Sequence, residues 1–406
     1  MIRALLSCFI AACLLLTGGC IDTESRIIKK AEKIHESILT VDTHCDTPLN
    51  LMKAGFDVGK KHDYGCVDFP RMKEGGLNAE FFAVFTAQGP RDDSSYNRAH
   101  NRALKIFRTI HESVGKNSAM AEIAYTAEDA YRLKKDGKIA VFIGVENGYP
   151  VGKDLSRIKQ YYDLGARYIT LSHSKNNDIC DSSTDPAGPE HGGLSVFGEE
   201  VVKEMNRLGI MVDVSHISDE AFYDVLKISK VPVIASHSSC RALCENPRNL
   251  SDEMLLALKE NGGVIQICIL SNYLKSPEAN PELDSAISSI RKKYGNTETL
   301  DEVKRQQMRE EIREAQKKFE KLATVKDAVN HIDHVVQVIG IDYVGIGTDF
   351  DGGGRIEGCR TVAEMKNITV ELVRRGYTKK DIEKIWGGNV MRVLRVAEEY
   401  ARKQKL

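Results

Sequence analysis

The sequence has no excess of charge of either sign and no glycine-rich phosphate-binding turn. Its 57 Lys and Arg residues balance 58 Asp and Glu, so the net charge is −1 and no basic surface for a nucleic acid is predicted. A dinucleotide-binding sheet needs a glycine-rich turn after its first strand, whereas the first strand-like run, residues 38–41, continues into DTHCD. These absences argue against a nucleic-acid-binding protein and against a doubly wound nucleotide-binding fold.

The cysteines form no recognisable framework. Of the 10 cysteines, three lie within residues 1–20, and the others are irregularly spaced with no CxxC pair. A set of disulfides of the kind found in small secreted domains is therefore not predicted, and neither is a structural zinc site built from CxxC pairs.

The apolar N-terminal segment, residues 4–16, is too short to span a membrane. It follows Arg3 and precedes three small residues, which is typical of a signal peptide over residues 1–19. Cys20 comes directly after the small residues and predicts a lipidated thiol, as in bacterial lipoproteins, with residues 20–30 as a short tether. An ordinary secretory signal cut nearby is the alternative. We expect an exported protein, anchored to a membrane of the bacterial cell envelope.

A strand–helix unit recurs along the rest of the chain. Eight short apolar runs lie at residues 38–41, 79–85, 139–145, 166–171, 210–214, 231–235, 263–270 and 343–347. Helix-sized segments separate most of them, for instance 97–113, 152–164, 195–208, 219–229 and 251–261. Eight strands alternating with helices is the count of a (β/α)₈ barrel. The sequence therefore predicts one α/β domain of the TIM-barrel type over residues 31–400.

One insertion interrupts this pattern between the seventh and eighth strands. Residues 275–325 become a charged helix with an apolar stripe at intervals of four, three, four and three residues, formed by Met308, Ile312, Ala315, Phe319 and Leu322. We expect this stripe to pack against the outer helices of the barrel, in preference to a subunit contact or an active-site lid. Further on, Thr378 and Asp381 have the spacing of a capping box and predict a last helix through Leu394.

Polar residues gather where the predicted strands end. The residues at these ends are His44, Asp46, Glu146, His173, His216, His237, Asp349 and Asp351. In a barrel the carboxyl ends of the strands converge on one face, where such enzymes carry their chemistry. So much polarity is costly in a packed core unless it binds a divalent metal. Mixed imidazole and carboxylate ligands suit zinc, less often manganese or iron, and five or more candidates favour a two-metal site.

Several motifs resemble the membrane (renal) dipeptidase family, in order over roughly residues 35–395. They are VDTHCD, DFPRMKEGG, GVENG, ITLSHS, VDVSH, ASHSS, PRN and GTDFDG. The resemblance implies a binuclear zinc peptidase on a (β/α)₈ barrel, with two Zn²⁺ per chain. It implies hydrolysis of free dipeptides, including those with a D-residue at the C-terminal position, by a hydroxide that bridges the metals. A homodimer is also possible, because family members are often dimers.

The resemblance further implies a role for each matching residue. His44, Asp46 and Glu146 would hold one zinc, and Glu146 would share the second zinc with His216 and His237.

Three other residues match positions that handle the substrate, and a fourth is a candidate from its place in the chain. Asp349 would carry the proton from the nucleophile to the leaving amine, and His173 would donate to the developing oxyanion. Arg248 would clamp the free carboxylate of the substrate with its bidentate fork. Tyr273, just past the seventh strand, is a candidate for the pocket wall.

Three further aspartates are not expected to bind metal or substrate directly. Asp42 and Asp213 lie inside strands and either orient the imidazoles or only bond the neighbouring backbone. Asp351 precedes a run of three glycines and is read as a structural turn residue.

Two other functions remain open. One is a different binuclear hydrolase of the amidohydrolase type, such as a lactonase or deaminase. Those enzymes usually begin with HxH and often bridge their metals with lysine, whereas this chain has HCD and a glutamate. The other is a lipid-anchored binding protein that has lost catalysis, which the presence of every expected ligand disfavours.

Overall fold

A computed structural model describes residues 23–276, 278–295, 300 and 302–404. The predicted signal peptide and the lipidation site Cys20 lie outside this part of the chain. Helix α1 covers residues 23–37, with Ala31 and Ile34 buried and Ile27 packed against the core. The predicted tether is therefore wrong for residues 23–30, which begin a helix whose apolar face docks on the domain. No helix of the described ranges is both long and apolar enough to cross a membrane.

Eight parallel strands form the predicted (β/α)₈ barrel, in the ring order β1-β2-β4-β5-β6-β7-β8-β9. The strands are β1 Val41–Cys45, β2 Ala79–Phe85, β3 Ala121–Ile123, β4 Ile139–Glu146, β5 Ala166–Thr170, β6 Met211–Asp213, β7 Ile234–Ser238, β8 Val264–Ile267 and β9 Val344–Ile346. The short strand β3 pairs with β4 outside the ring and was not predicted.

Backbone hydrogen bonds close the ring between β1 and the segment after β9. The N–H of Asp349 donates to the carbonyl of His44 at 3.0 Å, and the N–H of Asp46 donates to the carbonyl of Phe350 at 2.7 Å. The two chain segments that carry predicted site residues are thus joined directly.

Fifteen further helices follow α1 in the described part of the chain. They are α2 Pro48–Leu51, α3 Phe69–Gly75, α4 Asp93–Lys116, α5 Ala127–Lys135, α6 Ser156–Asp163, α7 Val196–Leu208, α8 Asp219–Ile228, α9 Asp252–Asn261, α10 Ser271–Leu274, α11 Pro281–Tyr294, α12 Glu302–Phe319, α13 Val325–Val338, α14 Lys366–Arg374, α15 Lys379–Glu383 and α16 Asn389–Lys403. The five helix-sized segments named above correspond to α4, α6, α7, α8 and α9. The predicted capping box is present at Thr378, and the helical path runs through a wide turn at residues 384–388 to Lys403, beyond the predicted end.

The barrel is apolar at one end and polar at the other. Inward-facing side chains such as Phe81, Phe142 and Met211 fill its interior, and α16 adds Val390 and Leu394 to the same cluster. Successive side chains of a strand point to opposite sides. On β4, the side chains that face the barrel interior therefore include that of the last residue, at the carboxyl end of the strand. The polar residues are left at the carboxyl ends of the strands.

The insertion is a pair of helices, α11 and α12, and not a single helix. Helix α12 packs chiefly against α11, so the expectation that its stripe contacts the outer barrel helices is wrong. The pair is antiparallel, because Asn280 Nδ2 donates to the carbonyl of Phe319 at 2.6 Å while Tyr294 donates to Glu311. Ala315 of the predicted stripe is buried.

Candidate metal centre

The structure brings the predicted ligands together around one carboxylate. Glu146 is the last residue of β4, and its Oε2 lies 3.6 Å from His44 Nε2. Its Oε1 lies 3.3 Å from His216 Nε2 and 3.6 Å from His237 Nε2. One carboxylate therefore faces three imidazole nitrogens that come from three different strand ends.

Three overlapping groups of side chains have the spacing of a metal site. Within each group the ligand atoms lie within 4.8 Å of one another, and the groups are His44–Glu146–His237, Glu146–His173–His216 and His44–Asp46–Asp349. Glu146 and His44 each belong to two groups, and neither of the two predicted ligand sets coincides with a single group. His237 Nε2 also lies 2.8 Å from His216 Nε2, which fits the predicted pairing of these two imidazoles on one ion.

Two ligand atoms are buried without a hydrogen-bond partner. They are His44 Nε2 and Asp46 Oδ1, and His44 is fully buried. A buried polar atom left unpaired costs about 1–3 kcal/mol, so such atoms call for a ligand. Nitrogen and oxygen donors converging in this way fit a divalent cation such as zinc.

The pKa values of the cluster reflect burial and crowded acidic groups. Burial alone would lower the pKa of His44, but the carboxylates of Glu146, Asp46 and Asp349 raise it to about 10. Burial raises the pKa of Asp46 well above its usual range, and Glu146 adds to this. Burial likewise raises the pKa of Asp349 to about 7. Ionising Asp46 and Asp349 beside Glu146 therefore needs added positive charge, which bound cations would supply.

Backbone strain concentrates at the same face. Four non-glycine residues have positive φ in the described part of the chain, namely Asn147, His216, Asp349 and Asp351, with φ between 60° and 74°. The left-handed conformation costs an L-residue roughly 1–2 kcal/mol. Strain of this kind persists where the surrounding structure holds a side chain for a purpose, and two of the four are predicted site residues.

Beside the cluster lies a cavity of about 260 Å³, walled in part by Arg248 and Tyr273. The Arg248 guanidinium carbon lies 5.3 Å from the centre of the Tyr273 ring, and Nη2 donates to the carbonyl of His237 at 3.1 Å. Arg248 is 4% exposed and its Nε has no partner. Among the described residues no carboxylate forms an ion pair with it, so the guanidinium is available to an anion.

His173 faces the same cavity from the segment after β5. Its Nε2 lies 3.5 Å from Glu146 Oε1, and its Nδ1 lies 2.6 Å from the Ser174 hydroxyl. Burial lowers the pKa of His173, which favours the neutral imidazole.

Four residues of the cavity wall were not predicted. They are Ser174, Thr184, Leu270 and Gly352. Gly352 has a definite reason to be glycine, because a Cβ there would lie 2.2 Å from both Asp349 Oδ1 and Asp46 Oδ2. In the sequence, the run of three glycines after Asp351 could have indicated a close approach to site residues at this position. A turn explained the glycines equally well.

Neither strand aspartate touches an imidazole. Asp42 accepts from the N–H of Thr348 at 2.7 Å and from its hydroxyl. Asp213 accepts from the Ser236 hydroxyl at 2.7 Å, and the same Ser236 oxygen lies 2.8 Å from His237 Nδ1. Asp42 is therefore a backbone anchor, whereas Asp213 acts on a ligand through one intervening serine.

Asp351 accepts from the Thr47 hydroxyl at 2.7 Å and from the N–H of Cys66 at 2.8 Å. These contacts agree with its reading as a structural residue. The seven cysteines from Cys45 onward are free thiols.

Comparison with known proteins points to one family. Residues 28–406 match the family model for membrane dipeptidases, peptidase family M19. The chain is 34% identical over 350 residues to dipeptidase tcpJ of Claviceps purpurea, covering 84% of this chain and 71% of that protein. It is 32% identical over 395 residues to dipeptidase verJ of Clonostachys rogersoniana, covering 93% and 89%. Among solved structures, the probable dipeptidase PvdM from Pseudomonas aeruginosa is similar with a TM-score of 0.81 at 31% identity, covering 93% of this chain and all of that one.

Proposed function

The chain belongs to the membrane dipeptidase family of metallopeptidases, and on this premise we propose that it hydrolyses free dipeptides with two zinc ions bound at the carboxyl ends of its strands. One juxtaposition carries the proposal. A cluster of metal-binding side chains and a buried guanidinium without an acidic partner share a single cavity of about 260 Å³. This volume lies below the roughly 300–1,000 Å³ of pockets for drug-sized ligands, which suits a small substrate.

The donor set supports two cations. His44, Asp46 and Glu146 would hold one, and Glu146, His216 and His237 would hold the other, with Glu146 facing both groups. When bound, such ions lower the pKa of a water molecule and polarise the scissile carbonyl group. Zinc is the proposed metal, because imidazole and carboxylate ligands together suit it well.

Arg248 would set the length of the substrate. A carboxylate that reaches the cavity could accept two charge-assisted hydrogen bonds from the planar guanidinium. Tyr273 packs against the face of this group and helps to hold it in place. A carboxylate bound there would lie in the same cavity as the metal cluster, which would favour substrates with a single residue after the scissile bond.

The same contact supports tolerance of a D-residue at the C-terminal position. Arg248 would bind the carboxylate of that residue and not its side chain, so inversion at the α-carbon would leave the ion pair intact. We therefore extend the proposal to substrates of both configurations at that position.

Asp349 and His173 would move and donate protons. Asp349 lies beside Asp46 at the edge of the cavity, where its carboxylate can accept a proton from the attacking water and return it to the leaving nitrogen. If the Ser174 hydroxyl donates to His173 Nδ1, the Nε2 proton of the neutral imidazole faces the cavity and can donate to the carbonyl oxygen of the substrate.

The test combines metal analysis with a dipeptide screen on one sample of purified protein. We expect about two zinc ions per chain, loss of activity on complete chelation, and its return when zinc is added. Xaa-Xaa dipeptides should be hydrolysed, including those ending in a D-residue, and tripeptides should not. Full activity in verified metal-free protein would refute the metal mechanism, and equal rates on tripeptides would favour another amidase.

A further inference from the structure

Tyr168 contacts the side of His44 that faces away from the metal cluster. Its hydroxyl lies 2.8 Å from His44 Nδ1, whereas His44 Nε2 faces Glu146 and Asp46. Tyr168 lies on β5, is fully buried in the barrel interior, and packs its ring 5.5 Å from that of Phe81. The phenol hydroxyl thus approaches His44 from the apolar interior of the barrel, on the side away from the metal cluster.

The neighbouring strand is shaped to admit this ring. Gly144 on β4 is the register partner of Tyr168 on β5, and a Cβ at Gly144 would lie 2.0–2.4 Å from three atoms of the phenol ring. Gly144 is not among the glycines with positive φ, so its backbone does not need glycine. The missing side chain serves to make room for Tyr168.

We infer that Tyr168 is a positioning residue, which holds the ring of His44 and keeps its proton on Nδ1 so that Nε2 presents a lone pair to a cation. The inference rests on the proposed metal centre. A neutral imidazole carries one N–H, and only the tautomer with the proton on Nδ1 can bind a metal through Nε2. Histidine ligands almost always donate their second N–H to a partner that fixes this choice.

The other side of the centre uses a different partner for the same purpose. The Nδ1 of His237 lies 2.8 Å from the Ser236 hydroxyl, which in turn donates to Asp213. In the described part of the chain His44 Nδ1 contacts no such serine and aspartate pair, and it faces the phenol oxygen of Tyr168, which can accept through a lone pair. Each of these two ligands therefore depends on its own, separate support.

This separation gives Tyr168→Phe a specific expected result. The variant removes one oxygen and keeps the ring that fills the space beside Gly144. His44 belongs to one of the two proposed ion sites, so affinity for one zinc should fall by about 10- to 100-fold while the other stays nearly unchanged.

The chain offers a matched control. Tyr161 is also fully buried, and its hydroxyl lies 2.7 Å from the Nδ1 of another histidine, His100, on the outer helices. Tyr161→Phe removes the same atom from the same kind of pair away from the centre. It should leave both zinc affinities unchanged.

The experiment measures zinc affinities by competition with a chromophoric chelator, for wild-type protein, Tyr168→Phe and Tyr161→Phe. Selective weakening of one ion in Tyr168→Phe alone supports the inference. An equal loss at both ions, or no loss at either, overturns it. Wild-type protein that binds no zinc would refute the proposed function itself, before any variant is compared.

A measurement on wild-type protein keeps the inference testable if Tyr168→Phe does not fold. ¹⁵N NMR of the zinc-loaded protein with labelled histidine should show a protonated Nδ1 on His44 in slow exchange with solvent. An unprotonated or metal-bound Nδ1 overturns the inference.

Discussion

Replacing Arg248 with alanine should damage hydrolysis of a free dipeptide far more than hydrolysis of its C-terminal amide. The guanidinium has five N–H donors and donates one of them, on Nη2, to the carbonyl of His237, so a carboxylate can accept two charge-assisted hydrogen bonds from the rest. At roughly 1.5–3 kcal/mol each, these contribute about 3–6 kcal/mol. The loss in kcat/KM for the free dipeptide should therefore be roughly 10²- to 10⁴-fold.

The amide provides the reference because it lacks the charge that Arg248 binds. It should be a poor substrate for wild type and variant alike, with nearly equal kcat/KM for both. Arg248→Lys should fall between wild type and alanine, since lysine keeps the charge but not the planar fork.

The control arginine lies seven residues earlier. Arg241 forms a two-pronged ion pair with Asp219, at 2.6 and 2.7 Å, and does not border the cavity. Arg241→Ala should leave kcat/KM for the free dipeptide close to wild type. Steady-state kinetics on both substrates decide the matter, and equal losses on dipeptide and amide in Arg248→Ala would refute the carboxylate clamp.

Two further predictions concern a glycine of the cavity and a buried histidine outside it. A methyl group at Gly352 would collide with the carboxylates of Asp349 and Asp46, so Gly352→Ala should lower zinc content and kcat by about 10-fold or more. Gly115→Ala, where a Cβ meets nothing within 4 Å, should change neither, and an active, zinc-replete Gly352→Ala would refute the steric argument. Burial lowers the pKa of His35 to about 4, so the imidazole binds a proton more tightly in the unfolded chain than in the folded one. The free energy of unfolding therefore decreases as the pH falls from about 6.5 towards 4, by about 2 kcal/mol at pH 5. Urea unfolding at pH 7 and pH 5 should show a smaller difference for His35→Gln than for wild type, and an equal difference would contradict the assignment.

The sequence predicted the barrel well but misplaced several strand ends. The predicted runs at 38–41 and 231–235 begin three residues before the observed strands β1 and β7 and end before they do. Both strands extend into polar residues and include the histidines themselves. Apolar patterning marks the part of a strand that packs in the core, so it ends early where a strand carries site residues.

The insertion shows a second limit of sequence patterns. Pro281 occupies the first turn of α11, where a missing N–H costs nothing. Helix α12 packs chiefly against α11, whereas its apolar stripe alone indicated a partner on the barrel. A local pattern can indicate an amphipathic helix, but it does not identify the surface that the helix packs against.

The contact between Tyr168 and His44 joins residues 124 positions apart, and no pattern in the sequence pointed to it. Within the run ARYITL the tyrosine reads as an ordinary inward-facing core residue, and in GVENG the attention falls on the glutamate. Only the register between β4 and β5 places Gly144 against the phenol ring, and only the closed barrel places the hydroxyl under His44. The ligands could be found because each ends its own strand, whereas their supports depend on how different strands face one another across the barrel. A substitution at an apparently apolar core position such as Gly144 should therefore disturb the metal centre as well as the packing of the core.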